Sequence, residues 1–201
     1  MFYEPIKRNH GLPHDPFKAI VAPRPIGWIS SLSAKGELNL APYSFFNGVA
    51  TFPPMVMFSS DSPKDSLHNI RETGEFVCSL ATWDLRDAMN KTSQAVPGNV
   101  NEFELAGLEA APSKLVKPPR VAASPVALEC KATQILQLTD ANGNDISNIV
   151  VFGQVMGIYI DDRFLKNGIL DTAGMKPIAR CGYRQYAVVT ELFEMTRPDE
   201  R

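Results

Sequence analysis

The feature that most constrains the fold is a β-hairpin written into residues 126–160. Val126, Leu128, Cys130 and Ala132 alternate with Ala127, Glu129, Lys131 and Thr133, the period of a half-buried antiparallel strand. Asp140-Ala141-Asn142-Gly143-Asn144 follows, and its Asn-Gly pair is favoured in tight hairpin turns. Ile149 to Ile160 is apolar on both faces, which predicts a central strand or one covered by a second subunit.

More strands precede this hairpin. In Ile26 to Leu32, residues Ile26, Trp28, Ser30 and Leu32 share one face, and Gly27, Ile29 and Ser31 the other. Ser33-Ala34-Lys35-Gly36 is a turn, with Gly36 able to take positive φ. Glu37 to Tyr43 runs back as the partner strand until Pro42 interrupts it. Val56 to Ser60, Phe76 to Ala81 and Val188 to Met195 complete the strand set.

Helices are fewer. Ser62-Pro63-Lys64-Asp65 is a helix start, with Ser62 as N-cap, Pro63 at the first position and Asp65 favourable to the dipole. Gly74 suits its C-terminal end. Trp83 to Gln94 predicts a second helix, with Leu85, Ala88 and Met89 inward. Residues 95–124 are a proline-rich excursion with a short helix near Glu102 to Ala106; segments of this length often form lids, or pack along the surface. Many antiparallel strands and two or three helices predict a mainly β (α+β) fold: a barrel with helical insertions in one domain, 1–201, behind an N-terminal arm, 1–22.

Bulk properties narrow the function. Of 201 residues, 44% are hydrophobic and 21% charged, the composition of a soluble globular protein. The net charge of -2 gives no long-range attraction for nucleic acid or anionic membranes. No stretch approaches the roughly 20 apolar residues of a membrane span, and no signal pattern opens the chain, so a cytoplasmic location is expected. Cys78, Cys130 and Cys181 are far apart and lack zinc spacing; they read as structural thiols in a reducing compartment. His10 and His14, four apart in a Pro/Gly-rich arm, make a poor metal pair, and no metal site is expected.

Two places can carry chemistry. Ser59, Ser60, Lys64, Asp65 and Ser66 surround a helix N-terminus, where free N–H groups, a partial positive charge, a lysine and hydroxyls suit a phosphate monoester. The same residues also make an ordinary capped helix with a surface lysine. Asn39 to Asn47 (Asn-Leu-Ala-Pro-Tyr-Ser-Phe-Phe-Asn) sets Ser44 and Asn47 among Tyr43, Phe45 and Phe46. That is either a wall for a planar ligand or a strand end with core aromatics.

Taken in order, Arg24 to Ser31 (R-P-I-G-W-I-S-S), Gly36 to Asn47 (G-x-x-N-L-A-P-Y-S-F-F-N), Pro63 to Ile70 (P-K-D-S-L-x-N-I) and Pro177 to Ala187 resemble the flavin reductase-like FMN-binding split-barrel family. The resemblance covers most of the chain. It implies a homodimer of antiparallel split β-barrels with FMN near the subunit interface. Trp28, Ile29 and Ser30 would border the isoalloxazine ring, largely through backbone groups. Ala41, Pro42, Ser44 and Asn47 would line the ring and ribityl chain. Ser59, Ser60, Lys64, Asp65 and Ser66 would surround the phosphate, and Arg180 would approach from the late motif. Cys181 and Tyr183 stand where many members have Leu and Gly, and Ser66 stands for the commoner Thr. No G-x-G-x-x-G fingerprint is present, which favours FMN over a Rossmann-bound flavin. The implied activity is reduction of flavin by NADH or NADPH through hydride transfer, with no catalytic side chain required and a monooxygenase or electron-transfer protein as possible partner. An FMN-bound electron carrier of the flavoredoxin kind and a cofactor-free interaction barrel are the alternatives.

Overall fold

The computed structural model describes residues 1–200. A short 3-10 turn, Pro5–Lys7, and helix α1 (Phe17–Ile20) form the arm. Strands β1 (Arg24–Pro25), β2 (Gly27–Leu32), β3 (Leu38–Tyr43), β4 (Phe46–Thr51) and β5 (Pro54–Ser60) lead to helix α2 (Asp65–Thr73) and β6 (Glu75–Leu80). Helix α3 (Arg86–Lys91) precedes the excursion, which holds α4 (Glu102–Ala106) and strands β7 (Ala110–Ala111) and β8 (Arg120–Val121). The long hairpin is β9 (Val126–Thr139) and β10 (Asp145–Ile160). After it come β11 (Leu165–Lys166), β12 (Ile169–Leu170), α5 (Thr172–Met175), β13 (Ile178–Arg180) and β14 (Tyr186–Val188).

The main sheet is antiparallel, in the order β3-β2-β6-β9-β10-β5-β4. Its two edge strands, β3 and β4, are consecutive in the chain and separated only by Ser44 and Phe45. Two residues span roughly 10 Å at full extension, so the sheet must curl until its opposite edges meet. The Ser59 N–H donating to the Phe45 carbonyl, 2.8 Å, carries the β4–β5 ladder back to the crossing, and across the seam the Tyr43 and Phe58 rings stand 4.7 Å apart between centroids. Inside the curl lies a core of Ile29, Phe58, Leu67, Ile70, Phe76, Cys130 and Val151. On the other face of β2, Trp28 and Leu40 pack with Met89, Phe103 and Val121. The two faces read from the sequence of β2 thus enter two separate cores.

Several local expectations change. Pro42 does not end β3, because β3 is an edge strand with no outer ladder for the missing N–H to break; Pro42 pairs with Trp28. Strand β4 lies outside the strand set read from the sequence, which breaks off at Tyr43 and resumes at Val56. Helix α2 starts two residues late: its N-cap is Lys64, with no side-chain cap, because Ser60 Oγ and the Lys64 N–H both donate to the Ser62 carbonyl and hold that residue outside the helix. Gly74 closes α2 at φ +72, as expected. Helix α3 covers only Arg86–Lys91, and the last strand is Tyr186–Val188, which shares only Val188 with the expected Val188 to Met195; residues 189–195 form no strand. Glu129, on the expected polar face of β9, is buried because its carboxylate accepts the N–H groups of Lys114 and Leu115 from the excursion.

The arm is tied down by Arg24. Its buried guanidinium donates to the carbonyls of Lys18, Val21 and Cys181, joining arm and late motif. Gly182 permits this approach, since a Cβ there would strike Ala19. Among the described residues no helix is long and apolar enough to cross a membrane.

Candidate flavin site at the barrel seam

A cleft of about 450 Å³ opens where the sheet edges meet, within the size range of small-molecule sites. The seam supplies Ala41, Pro42, Tyr43, Ser44 and Phe45; β5 supplies Ser59; the start of α2 supplies Lys64, Asp65 and Ser66. The loop 92–96 and Lys18 of the arm form the remaining wall. That loop is held by Thr92, whose hydroxyl accepts the buried Trp28 indole N–H at 2.9 Å.

Below the start of α2 runs a buried polar network. Ser66 Oγ donates to Asn39 Oδ1 at 2.6 Å, and Asn39 Nδ2 donates to Glu102 Oε1 at 3.1 Å. Glu102 also accepts the Leu40 N–H at 3.0 Å. Burial pushes its carboxyl above the usual range, while those hydrogen bonds pull the other way. The network anchors the excursion to the cleft floor through α4. Ser31 and Asn69 extend it, with Asn69 Nδ2 donating to Ser31 Oγ at 3.2 Å.

Two features point to an anionic, polar ligand. The first turn of α2 lacks a side-chain cap, so its leading N–H groups and the positive end of its dipole remain available at the cleft. The Tyr43 hydroxyl is buried without a hydrogen-bond partner, although Ser60 and Ser66 stand near it. Both serines donate elsewhere, so neither donates to the Tyr43 oxygen. An unpartnered buried hydroxyl is costly unless a ligand meets it. Burial also raises the Tyr43 pKa, so the phenol keeps its proton through the neutral range. Lys64 Nζ lies 2.9 Å from Asp61 Oδ1, and both side chains are exposed; the lysine holds the Asp61 carboxyl below the usual range.

The structure gathers Ala41, Pro42, Ser44, Ser59, Lys64, Asp65 and Ser66 around this one cleft. Ser60 lies beneath it, fully buried, with its hydroxyl on the Ser62 carbonyl. Trp28, Ile29 and Ser30 lie in the interior of β2, fully buried. Their strand pairs with β3 on one side and β6 on the other, and the Ser30 hydroxyl donates to the Pro119 carbonyl. Asn47 is exposed on β4, its Oδ1 accepting the Gly48 N–H. Arg180 lines a neighbouring cleft that shares Pro42 and Ser44 with the first. Sequence reasoning did not single out Asn39, Tyr43 as a polar group, Asp61 or Glu102. For Glu102 the available signal was a helix of five residues whose first glutamate follows an Asn N-cap; nothing local marks it as buried. Among the described residues no group of three or more His, Cys, Asp or Glu could hold a metal.

Residues 21–177 match the family of flavin reductase-like domains, and the chain belongs to that family. It is thereby a flavin-related oxidoreductase by class. Nitrilotriacetate monooxygenase component B from Bacillus cereus superposes with a TM-score of 0.89 at 28% identity, covering 97% of this chain and 98% of that one. A candidate flavin reductase with a split-barrel domain from Shewanella frigidimarina gives 0.81 at 20% identity over 90% and 89% of the two chains. Flavoredoxin of Desulfovibrio vulgaris gives 0.79 at 19% over 90% and 94%. The last two establish the fold: the curled sheet with its seam is the split barrel.

Proposed function

We propose that the chain binds FMN in the seam cleft and reduces it at the expense of NADH or NADPH. One juxtaposition carries this reading. The uncapped, lysine-bearing start of α2 lies at the same cleft as the Pro42–Phe45 crossing, so an anion corner and an apolar wall are fixed in one place. The flavin, when bound, supplies the hydride-accepting ring. The chain supplies position. Lys64 and the first-turn N–H groups of α2 hold the dianionic phosphate. Tyr43 offers a protonated hydroxyl, and Ser44 and Ser59 offer further partners along the ligand. Hydride transfer between stacked rings needs no protein acid or base, so no catalytic side chain is assigned.

The chain further acts as a homodimer. Among the described residues the outer edge of β4 is unpaired, and beside it Val49 and Phe52 are 47% and 97% exposed, the kind of edge and apolar surface a second copy covers. Reduced flavin would pass to a monooxygenase or electron-transfer partner, a role supported by the likeness to a monooxygenase component B. The whole chain serves as a single domain, and its buried free thiols, Cys78 and Cys130, suit the reducing cytoplasm. The test is NAD(P)H consumption with added FMN, in air and without oxygen. No turnover above the uncatalysed rate with either nucleotide removes the proposal. Tight FMN retention with reduction only by a protein donor would replace it with an electron carrier.

A further inference from the structure

The seam cleft opens into a second one of about 720 Å³, and Pro42, Ser44 and Ser93 line both. Its walls come from the region of α3 and from β13, β14 and the turn between them. Three arginines line it, Arg86, Arg180 and Arg184, against one carboxylate, Asp87. Asp87 is a weak counterweight: its Oδ2 is 3.4 Å from Arg86 and its side chain is 88% exposed. In a chain whose net charge is -2, this is a concentrated positive site beside the flavin cleft.

Two of the arginines are held in place. The Arg86 guanidinium lies over the Trp83 ring at 4.1 Å, and its Nη1 donates to the Trp83 carbonyl at 2.7 Å. Arg180 lies over the Tyr186 ring at 4.4 Å and donates to the Tyr183 carbonyl. Tyr183 takes φ +55 in the tight turn closed by the Gln185 N–H on the Gly182 carbonyl, and that turn presents Arg184. Among the described residues Arg184 has no hydrogen-bond or ion-pair partner. Stacking fixes the guanidinium planes of Arg86 and Arg180, and the N–H groups they leave unused, with the fork of Arg184, are available to a phosphate.

We propose that this cleft takes the phosphorylated adenosine end of the nicotinamide donor, with Arg184 and Arg86 gripping a ribose 2′-phosphate, so that the chain prefers NADPH to NADH. A phosphate monoester brings close to two charges and three acceptor oxygens; NADH presents a neutral hydroxyl at that position. The pyrophosphate is common to both donors and does not discriminate. This rests on the seam cleft being the flavin site, because the donor's ring must reach the flavin from the adjoining space.

Binding of 2′,5′-ADP and of 5′-AMP to the flavin-free protein, followed by calorimetry, reads the site without turnover. The expected result is at least tenfold tighter binding of 2′,5′-ADP, with the ratio falling toward one in Arg184→Ala and in Arg86→Ala and partly restored in Arg184→Lys. The same variants should lower the kcat/KM ratio of NADPH to NADH. Equal affinity for the two probes overturns the inference, as does a ratio that survives both substitutions. FMN reduction that runs equally on NADH and NADPH refutes the inference and leaves the function standing. Selective 2′,5′-ADP binding by a protein that takes no FMN removes the function and keeps the phosphate site.

Discussion

Lys64→Ala and Asp61→Asn should shift FMN affinity in opposite directions, and the structure sets the sizes. A charge-assisted hydrogen bond to phosphate contributes about 1.5–3 kcal/mol. Lys64 is already paired with Asp61 at 2.9 Å, with side chains 54% and 71% exposed, and such exposed pairs are worth about 0.2–1 kcal/mol. To reach the phosphate the lysine must leave or share that partner, so Lys64→Ala should weaken FMN by the difference, about 1–2 kcal/mol, or about 5- to 30-fold in Kd. Asp61→Asn frees the lysine and removes a like charge, so it should tighten FMN by up to about fivefold. Because Lys64 holds the Asp61 carboxyl low, that carboxyl stays charged at neutral pH and the gain should persist through mild acidity. Quenching of flavin fluorescence on titration with protein measures both effects, and added salt should shrink them. Riboflavin, which lacks the phosphate, is the control. If neither variant moves FMN affinity, or both move riboflavin equally, the phosphate does not sit at α2.

Glu102→Gln should flatten the pH dependence of stability. Burial raises the folded-state pKa of Glu102 above its ordinary value, so its contribution is fully present below the unfolded pKa and is lost as pH rises through the folded one; urea midpoints from acid to neutral pH compare the two proteins. Gly153→Ala puts a Cβ into the Phe76 ring at the middle of the sheet and should cost about 1–3 kcal/mol, read by urea melts, with partial recovery in Phe76→Leu. A thiol reagent should titrate one cysteine, Cys181, in the native protein and three in urea. Burial pushes the Cys78 thiol up to about 12 and raises Cys130 as well, leaving both without reactive thiolate.

How far the sequence alone carries depends on the range of the interaction. The hairpin turn at Asn142-Gly143, the end of α2 at Gly74 and the short helix at Glu102 are set by residues within a few positions, and each is where the sequence puts it. Pro42 was misread because its effect depends on whether β3 has an outer neighbour, a property of the whole sheet. The same holds for Glu129 and Glu102. Both are charged residues buried by backbone N–H groups far away in sequence, and no local period reports that. The lysine- and hydroxyl-bearing start of α2 was legible from Ser59 to Ser66. What was not legible is that the uncapped turn faces a seam made by two edge strands, with an unpartnered tyrosine hydroxyl in its wall. Trp28 and Ile29, the most conspicuous part of the first motif, pack inside the two cores, and Ser30 is buried with its hydroxyl on the Pro119 carbonyl.

The most direct measurement is FMN titration of the purified, flavin-free protein, following both flavin fluorescence and retention through gel filtration. The account predicts saturable binding with one flavin retained per chain, weakened in Lys64→Ala and in Tyr43→Phe. Absence of saturable binding, or binding indifferent to both substitutions, would contradict it.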